Sequence, residues 1–253
     1  MATSSSAESA AEECKICKGA RFVHPLLASG KPDYSRIVPC RCANQQTEEK
    51  RLSRLQKYSN LGALTRFTFA SLSVETGHKD EVAKEQFRLA SKAAAEFAKK
   101  PSGWLFISGA SGSGKTHLAA AIANECLQNN VPAFYTTTPD LLDHLRSSFN
   151  PSSELPYDEF FEQVRNAQVL VLDDFGTQSS SSWAKEKLDQ LLSHRHANRL
   201  ATVIISNVPL EELEERVRTR LTNTDFCKVY SLGSKNKELH LYDWAPDLNY
   251  RDT

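Results

Sequence analysis

A glycine-rich segment between an apolar run and an alanine-rich run contains the residue types that bind phosphate. Residues 109–116, Gly-Ala-Ser-Gly-Ser-Gly-Lys-Thr, fit the pattern G-x-x-x-x-G-K-[ST]. Glycines let the backbone curl so that successive N–H groups face phosphate oxygens, and the following helix adds the positive end of its dipole. Lys115 is expected to reach the β- and γ-phosphates, and the Thr116 hydroxyl to ligate Mg²⁺. The pattern predicts a nucleoside triphosphate site formed by Gly109, Ala110, Ser111, Gly112, Ser113, Gly114, Lys115, Thr116 and His117.

Two acids at the end of a buried apolar run supply a second part of such a site. Asp173 and Asp174 follow the run 169–172, 58 residues after Lys115. In an ATPase with this kind of loop, the first acid holds Mg²⁺ and the second polarises the attacking water, because in-line attack needs a base beside the γ-phosphate. The structural alternative is that the two acids only cap the next loop.

Two later segments carry further candidates. Asn207 ends the apolar run 202–206, and it is expected to orient the water or contact the γ-phosphate if that strand lies beside the strand of Asp173. Alternatively, Asn207 is a turn residue. An arginine of the segment that contains Arg216, Arg218 and Arg220 is expected to enter the nucleotide site of a neighbouring subunit. A solvated basic helix end is the alternative, and we prefer it for Arg218.

Short apolar runs alternate with longer amphipathic runs in the order expected of an α/β protein. Strands are predicted over 104–108, 131–136, 169–172, 202–206 and 228–232. Helices are predicted over 80–99, 118–127, 141–149, 160–164, 183–197 and 210–221. Continuous apolar strands with intervening helices indicate a five-stranded parallel sheet that is covered on both faces.

The order of these features resembles that of the AAA+ ATPases. More narrowly, the chain resembles the DnaC/DnaI-type bacterial helicase loaders and their relative, the IstB transposition helper. The resemblance covers about residues 60–232, and the segments that carry it are 66–69, 134–142, 172–176, Trp183 and 216–221.

The resemblance implies a role for each matching residue. Lys115 and Thr116 belong to the Walker A motif, Asp173 and Asp174 belong to Walker B, and Thr116 and Asp173 hold Mg²⁺. Asn207 is sensor 1, and Arg220 is the arginine finger, for which Arg216 is a weaker candidate. Most AAA+ proteins have glutamate where Asp174 stands. The shorter carboxylate would hold water less well, so we expect slow basal ATP hydrolysis that DNA or a partner stimulates. The segment after Leu232 gives no clear lid helix, and Arg251 is the one late candidate for a second sensor arginine.

Four cysteines near the start have the spacing of a metal site. Cys14 and Cys17 form a C-x₂-C pair, and Cys40 and Cys42 form a C-x-C pair. Four thiolates make a tetrahedral zinc site, which supplies the folding energy that a segment with little apolar core lacks. The alternatives are four unrelated reduced thiols or an iron–sulfur cluster. Two further cysteines, Cys126 and Cys227, stand alone and are expected in the core.

Function and partners follow from the resemblance. In that family the N-terminal part contacts the replicative DNA helicase, and the AAA+ part assembles into an ATP-dependent oligomer that grips single-stranded DNA. We therefore expect a helicase loader that uses ATP, Mg²⁺ and Zn²⁺. The alternatives are an IstB-like transposition helper and, less well matched, a phosphate-loop kinase, in which Asn207 and the arginines would have no evident role.

Charge and composition restrict the partners. The net charge is zero, but Lys and Arg outnumber Asp and Glu by 10 to 6 over residues 1–60, whereas 14 oppose 20 over residues 101–253. Any nucleic-acid contact must therefore come from a local patch. The chain has no apolar run of membrane-spanning length and no signal peptide, so a cytoplasmic protein is expected. The expected domains are a disordered tail over 1–12, a zinc-binding module and linker helix over 13–60, an AAA+ core over 61–232 and an extension with a reduced lid over 233–253.

Overall fold

The computed structural model of the 253-residue chain divides into two compact units, residues 1–54 and 55–253. The residues that it describes are 14–18, 20, 22–41, 58–72, 81–150, 156–176 and 181–233. The expected tail, the greater part of the expected linker helix and all but the first residue of the expected C-terminal extension lie outside them.

The first unit is small and has little apolar interior. Strand β1 (Phe22–Val23) pairs antiparallel with β2 (Val38–Pro39). The side chain of His24 contacts the Arg36 carbonyl oxygen at 2.8 Å, so it links the strands and does not join the cysteines. The described buried residues of this unit are Cys17 and Cys40. As expected from the sequence, the cysteines take the place that an apolar core would otherwise fill.

The second unit contains a five-stranded sheet in which every pair of neighbours is parallel. Its order is β4-β5-β6-β3-β7, so the strand before the phosphate loop lies between two others. The strands are β3 (Trp104–Gly109), β4 (Ala133–Thr137), β5 (Val169–Phe175), β6 (Ala201–Ser206) and β7 (Cys227–Leu232). The prediction of a five-stranded parallel sheet is confirmed.

Within the described residues, six α-helices connect and flank these strands. They are α1 (Glu81–Lys99), α2 (Lys115–Gln128), α3 (Thr138–Ser147), α4 (Tyr157–Arg165), α5 (Ser182–Ala197) and α6 (Glu215–Leu221). Short 3₁₀ helices span Asn60–Leu64, Phe69–Ser71 and Leu210–Glu212. No helix of the described segments is both long and apolar enough to cross a bilayer.

One predicted helix is wrong in its extent. The expected helix over 210–221 is a 3₁₀ turn followed by α6, because Leu213 and Glu214 between them have extended backbone (ψ 156° and 140°). The extended backbone accompanies burial of Leu213, which is 7% exposed and packs with the core on that side of the sheet.

Helices cover both faces of the sheet. Along β3, Leu105 and Ile107 face the core beneath α1 and α2, whereas Trp104 and Phe106 face the core beneath the other four helices. Strand residues that alternate between two apolar layers leave no polar face, which explains the unbroken apolar runs in the sequence.

A fully buried arginine, Arg195, joins the C-terminal end of α4 to the N-terminal end of β6. The Arg195 guanidinium donates to the carbonyl oxygens of Ala167 (2.8 Å), Arg165 (3.1 Å) and Ala201 (2.6 Å), and its Nε donates to the Thr202 hydroxyl (2.9 Å). Burial lowers the pKa of Arg195 to about 9. Its guanidinium supplies donors to backbone carbonyls where α4 ends and β6 begins.

Candidate nucleotide and metal sites

The glycine-rich segment forms the turn between β3 and α2, as expected. Gly112 and Gly114 have positive φ (79° and 86°). A Cβ at Gly114 would lie 2.7 Å from Cε2 of Phe87, so this position requires glycine. No described side chain caps the N-terminus of α2 by a hydrogen bond. Uncapped backbone N–H groups at a helix start suit an anion, so the loop fits a nucleotide phosphate.

Lys115 and Thr116 open α2. The Lys115 side chain is buried, and its Nζ donates to the Ala110 carbonyl oxygen at 2.7 Å and to the Ser113 hydroxyl at 3.3 Å. Burial lowers the pKa of Lys115, and the nearby carboxylates of Asp173 and Asp174 oppose that shift. Thr116 is exposed, so its side chain is accessible to a ligand.

His117, next along α2, links this helix to the segment before the core. Its Nε2 lies 3.0 Å from the Ser71 hydroxyl and 3.2 Å from the Thr68 carbonyl oxygen. The ring also packs against the ring of Phe67, with centroids 4.6 Å apart and planes tilted by 33°. The structure therefore brings the 66–69 segment to the helix that starts at the phosphate loop.

The two acids lie on β5. Asp173 is buried, and its two carboxylate oxygens accept from different donors: Oδ1 from the Asp174 backbone N–H (2.8 Å) and Oδ2 from the Tyr135 hydroxyl (2.7 Å). Burial and the charge of Asp173 raise the pKa of Tyr135. Asp174 has φ 52°, and the pairing of β5 with β6 shifts register between Leu172 and Phe175.

Asn207 follows β6, the neighbour of β5, so the expected adjacency of these two strand ends is confirmed. Its side-chain amide donates to Asp174 Oδ1 at 3.1 Å. Burial and the charge of Asp173 raise the pKa of Asp174, while the Asn207 hydrogen bond and the charge of Lys115 lower it. The structure thus brings together Lys115, Asp173, Asp174 and Asn207 at one edge of the sheet.

Arg220 makes its described contacts elsewhere, with α5 and with the backbone of its own helix α6. Its guanidinium donates to Asp189 Oδ1 (2.8 Å), to the Ser193 hydroxyl (2.6 Å) and to the Arg216 carbonyl oxygen (3.1 Å). The side chain of Arg216 is 80% exposed and lies 3.5 Å from Asp189. Neither arginine has a described hydrogen bond to Lys115, Asp173 or their neighbours at the strand ends.

An open cavity of 190 Å³ is lined in part by the residues that directly follow Asp174 and Asn207 in the sequence. Its walls include Phe175, Val208 and Leu213, and the ion pair between Lys185 and Glu214 (2.6 Å) lies among its lining residues. None of the described lining residues belongs to the phosphate loop, so this cavity is distinct from the candidate nucleotide site.

Three of the four predicted zinc ligands cluster in the first unit. The sulfurs of Cys14, Cys17 and Cys40 lie within 4.8 Å of one another, and those of Cys14 and Cys40 are 3.9 Å apart. Thiolates around a tetrahedral zinc ion lie about 3.8 Å apart, given Zn–S bonds of about 2.3 Å. The donor set and its spacing fit zinc; the fourth predicted ligand, Cys42, lies outside the described residues.

The two remaining cysteines are core residues, as expected. Cys126 and Cys227 are both buried. Burial raises the pKa of the Cys126 thiol to about 11 and that of Cys227 to about 12. Both are thus fully protonated near neutral pH and belong to no described metal cluster.

Neither the sequence motifs nor the resemblance gives a role to two polar partners in this region. Tyr135 lies on β4 within an apolar run, and its contact with Asp173 depends on β4 being the neighbour of β5. Asp189 holds Arg220 and Arg216 from an ordinary helical position. Strand order and the facing of two helices would have been needed to find them.

Comparison with known proteins agrees with this geometry. The replicative helicase loader DnaC of Buchnera aphidicola subsp. Baizongia pistaciae is 28% identical over 178 residues, which cover 68% of this chain and 72% of that protein. DnaC of Escherichia coli K12 is 31% identical over 118 residues, or 45% of this chain and 48% of the relative. The chain thus aligns with about half of the latter protein's length.

A crystal structure of the DnaC helicase loader shares the fold, with a TM-score of 0.52 at 22% identity over 65% of this chain and 98% of that chain. The expected AAA+ architecture and the resemblance to the DnaC/DnaI loaders are confirmed. A family model described as IstB-like ATP binding protein matches residues 43–223. With well over half of its length matched, the chain belongs to the family of IstB-like ATP-binding proteins.

Proposed function

We propose that this protein loads the replicative DNA helicase, binding ATP and single-stranded DNA and hydrolysing ATP to release its partner. The observation that carries the proposal is the meeting of Lys115, Asp173, Asp174 and Asn207 at one sheet edge, in a chain whose relatives are named helicase loaders. The loader role comes from those relatives, and the ATP chemistry comes from the side chains.

Each residue of the sheet edge has a proposed task. Lys115 and the loop backbone bind the β- and γ-phosphates, while Thr116 and Asp173 hold Mg²⁺, which neutralises phosphate charge when bound. Asp174 takes the proton of the attacking water. Its raised pKa suits a base better than that of an ordinary aspartate, and Asn207 fixes its orientation. We propose that His117 and Phe67 border the nucleotide on the side of the 66–69 segment.

Arg220 is proposed to act on the nucleotide of a neighbouring copy. Its described side-chain partners, Asp189 and Ser193, lie on α5 of the same chain. Among the described residues, its guanidinium therefore makes no hydrogen bond to the nucleotide site of its own chain. An arginine that completes a site in trans makes hydrolysis depend on assembly, which explains why a loader would hydrolyse ATP slowly alone. In the assembly, phosphate oxygens take over from the Asp189 carboxylate.

Replacing Arg220 with alanine should lower DNA-stimulated ATP hydrolysis by about 10³-fold, since an arginine finger contributes at least that much to the rate. ATP binding should be unchanged. Arg218→Ala is the matched control: it removes a half-buried arginine of the same helix, whose guanidinium donates to the Glu211 carbonyl oxygen. The rates are measured as phosphate release with and without single-stranded DNA.

A mixing experiment tests action in trans. Lys115→Ala protein lacks a working nucleotide site, and Arg220→Ala protein lacks the finger. A mixture of the two inactive variants should regain part of the wild-type rate, because some interfaces then contain both intact residues. Wild-type hydrolysis by Arg220→Ala alone under every condition would contradict the assignment.

Single-stranded DNA is proposed to bind an aromatic cluster formed by α3, α4 and α5. Phe149, 56% exposed, stacks on Tyr157 with ring centroids 4.4 Å apart and planes 11° apart, and Trp183 lies 6.4 Å away. Arg146 lies over the Trp183 ring at 5.1 Å and Lys187 over the Tyr157 ring at 5.7 Å. Stacked rings with adjacent cations are what unpaired bases and their phosphates require.

The cluster also agrees with the charge of the core. Since the core is acidic overall, a DNA site must concentrate its positive charge locally. Arg146 and Lys187 make only long contacts with nearby acids, at 3.6 Å to Asp143 and 3.8 Å to Glu186. The Arg146 pair is exposed and the Lys187 pair is long, so both contribute little energy and phosphates displace them readily.

Phe149→Ala should weaken binding of oligo(dT) by roughly 5- to 150-fold, because stacking of one base on an aromatic ring contributes about 1–3 kcal/mol. Leu89→Ala is the control, since it also truncates an exposed apolar side chain but on α1. Fluorescence anisotropy with labelled oligo(dT) gives both affinities. Equal affinities of Phe149→Ala and wild type would place the DNA elsewhere.

The helicase is proposed to bind the first unit. This unit exposes large apolar side chains in an unusual concentration for its size: Ile16, Phe22, Leu26, Leu27, Tyr34, Ile37 and Val38. Exposed basic residues accompany them, namely Lys15, Lys18, Lys31, Arg36 and Arg41. An apolar surface with a basic rim fits a partner segment that is apolar and acidic.

Removing zinc should abolish helicase binding but not ATP binding, because the thiolates order only the first unit. The measurement is a pull-down of the replicative helicase with wild type, chelator-treated protein and Cys17→Ser. Leu26→Asp keeps all cysteines and should also lose the helicase, whereas Cys126→Ser, in the core of the second unit, changes no predicted metal ligand and serves as the control. Failure of every form to bind helicase would exclude loading.

An IstB-like transposition helper is the second candidate, and the family match is the observation that favours it. Both candidates predict ATP-dependent DNA binding, so the helicase pull-down is the experiment that separates them. A phosphate-loop kinase is disfavoured, because the hydrogen bond between Asn207 and Asp174 and the arginines of α6 have no role in phosphate transfer to a small acceptor.

A further inference from the structure

We propose that Tyr135 is a positioning residue for the magnesium site: its hydroxyl fixes the Asp173 carboxylate in the orientation that receives the metal. The inference rests on the proposed ATP site, in which Asp173 holds Mg²⁺. It assigns a role to a residue to which neither the phosphate-loop pattern nor the family resemblance gives one.

The geometry follows from the register of two neighbouring strands. Asp173 lies opposite Thr137 in the pairing of β4 with β5, and Tyr135 lies two residues before Thr137. Side chains two residues apart on a strand share a face. The Tyr135 ring therefore lies on the same face as Asp173, one step below it, and its hydroxyl reaches diagonally to Asp173 Oδ2 at 2.7 Å.

The contact is protected from water. Tyr135 is 1% exposed and Asp173 is 2% exposed. A hydroxyl donor to a carboxylate makes a strong, short hydrogen bond, and it is stronger where water is excluded. The ring itself packs in the apolar layer with Leu118 of α2 and Val171 of β5, so the hydroxyl has no freedom to move away.

Two donors together determine the plane of the carboxylate. The Asp174 backbone N–H holds Oδ1 at 2.8 Å, and the Tyr135 hydroxyl holds Oδ2. Each oxygen keeps a further lone pair for a metal or its water ligands. Without the hydroxyl, only one oxygen would remain fixed, and the carboxylate would rotate about it.

Other contacts of Asp173 act on its backbone. The Thr138 hydroxyl donates to the Asp173 carbonyl oxygen at 3.0 Å, which holds the strand but not the side chain. Tyr135 is therefore the described side chain that orients the Asp173 carboxylate. Partners that orient a ligating group typically change metal affinity by about 10- to 100-fold when removed.

Tyr135→Phe separates this role from packing, because it removes only the hydroxyl and keeps the buried ring. In the purified full chain, the Mg²⁺ concentration that half-saturates binding of a fluorescent ATP analogue should rise by about 10-fold or more. Binding of the analogue in EDTA should equal that of wild type, and the melting temperature should show that the variant is folded. Tyr58→Phe is the matched control: its ring packs against His144 and Phe160, away from Asp173.

A double substitution tests whether Tyr135 acts through Asp173. Asp173→Asn should itself raise the Mg²⁺ concentration that half-saturates binding of the ATP analogue. Adding Tyr135→Phe to it should then raise that concentration no further, because effects that act through the same residue are not additive. Additive effects, or an equal loss of binding in EDTA, would overturn the inference in favour of a structural role. An unchanged Mg²⁺ dependence in Tyr135→Phe would also overturn it.

Failure of the inference is distinguishable from failure of the proposed function. If wild type binds no nucleotide at any Mg²⁺ concentration, the ATP site itself is wrong. If wild type binds with Mg²⁺ dependence and Tyr135→Phe matches it, the ATP site stands and only the role of Tyr135 is wrong.

Discussion

Parallel pairing of β3, β5 and β6 is the constraint on which both the fold and the candidate site depend. Because these strands run in one direction, the polar residues that follow their apolar runs arrive at the same edge of the sheet. Phosphate loop, acids and Asn207 meet there although long helical connections separate them in the chain. A slip of β5 by one residue would turn Asp173 to the opposite face, away from Tyr135.

The site departs from regular strand geometry at Asp174, the residue proposed to act as the base. Asp174 adopts a left-handed backbone conformation, which is uncommon for a residue with a side chain, although aspartate tolerates it better than most. The deviation coincides with the shift in strand register before Phe175. It presents the Asp174 carboxylate to Asn207, whereas the Asp173 carboxylate contacts Tyr135, so the two like charges have different partners.

Local patterns in the sequence were sufficient for the strands, most helices and the four residues of the sheet edge. Strand ends with polar residues are visible without knowing which strands pair, since all parallel strands present them to one side. The contact of Tyr135 with Asp173 was not visible, because it depends on the order of strands. The hold of Asp189 on Arg220 depends on how two helices face each other.

The same limitation applies to the aromatic cluster and to the break at Leu213, before α6. Phe149 lies in the turn after α3, whereas Tyr157 and Trp183 lie on α4 and α5, and each alone is an unremarkable residue. The break at Leu213 was missed because helical periodicity runs through it, and only burial of that side chain in the core explains the extended backbone. Tertiary packing overrides local propensity at such points.

The buried position of Arg195 predicts that its loss has a different effect in the cell from the loss of Arg220. Arg195 belongs to the same helix as Asp189 and Ser193, the partners of Arg220, yet its guanidinium binds backbone carbonyls in the interior. If the protein acts in DNA replication as proposed, a screen for alleles with defective replication would recover changes at both arginines. Loss of Arg195 would remove the donor that binds these buried carbonyls and reduce the amount of protein in the cell, whereas loss of Arg220 would, on its proposed role, leave normal amounts of a protein that hydrolyses ATP poorly.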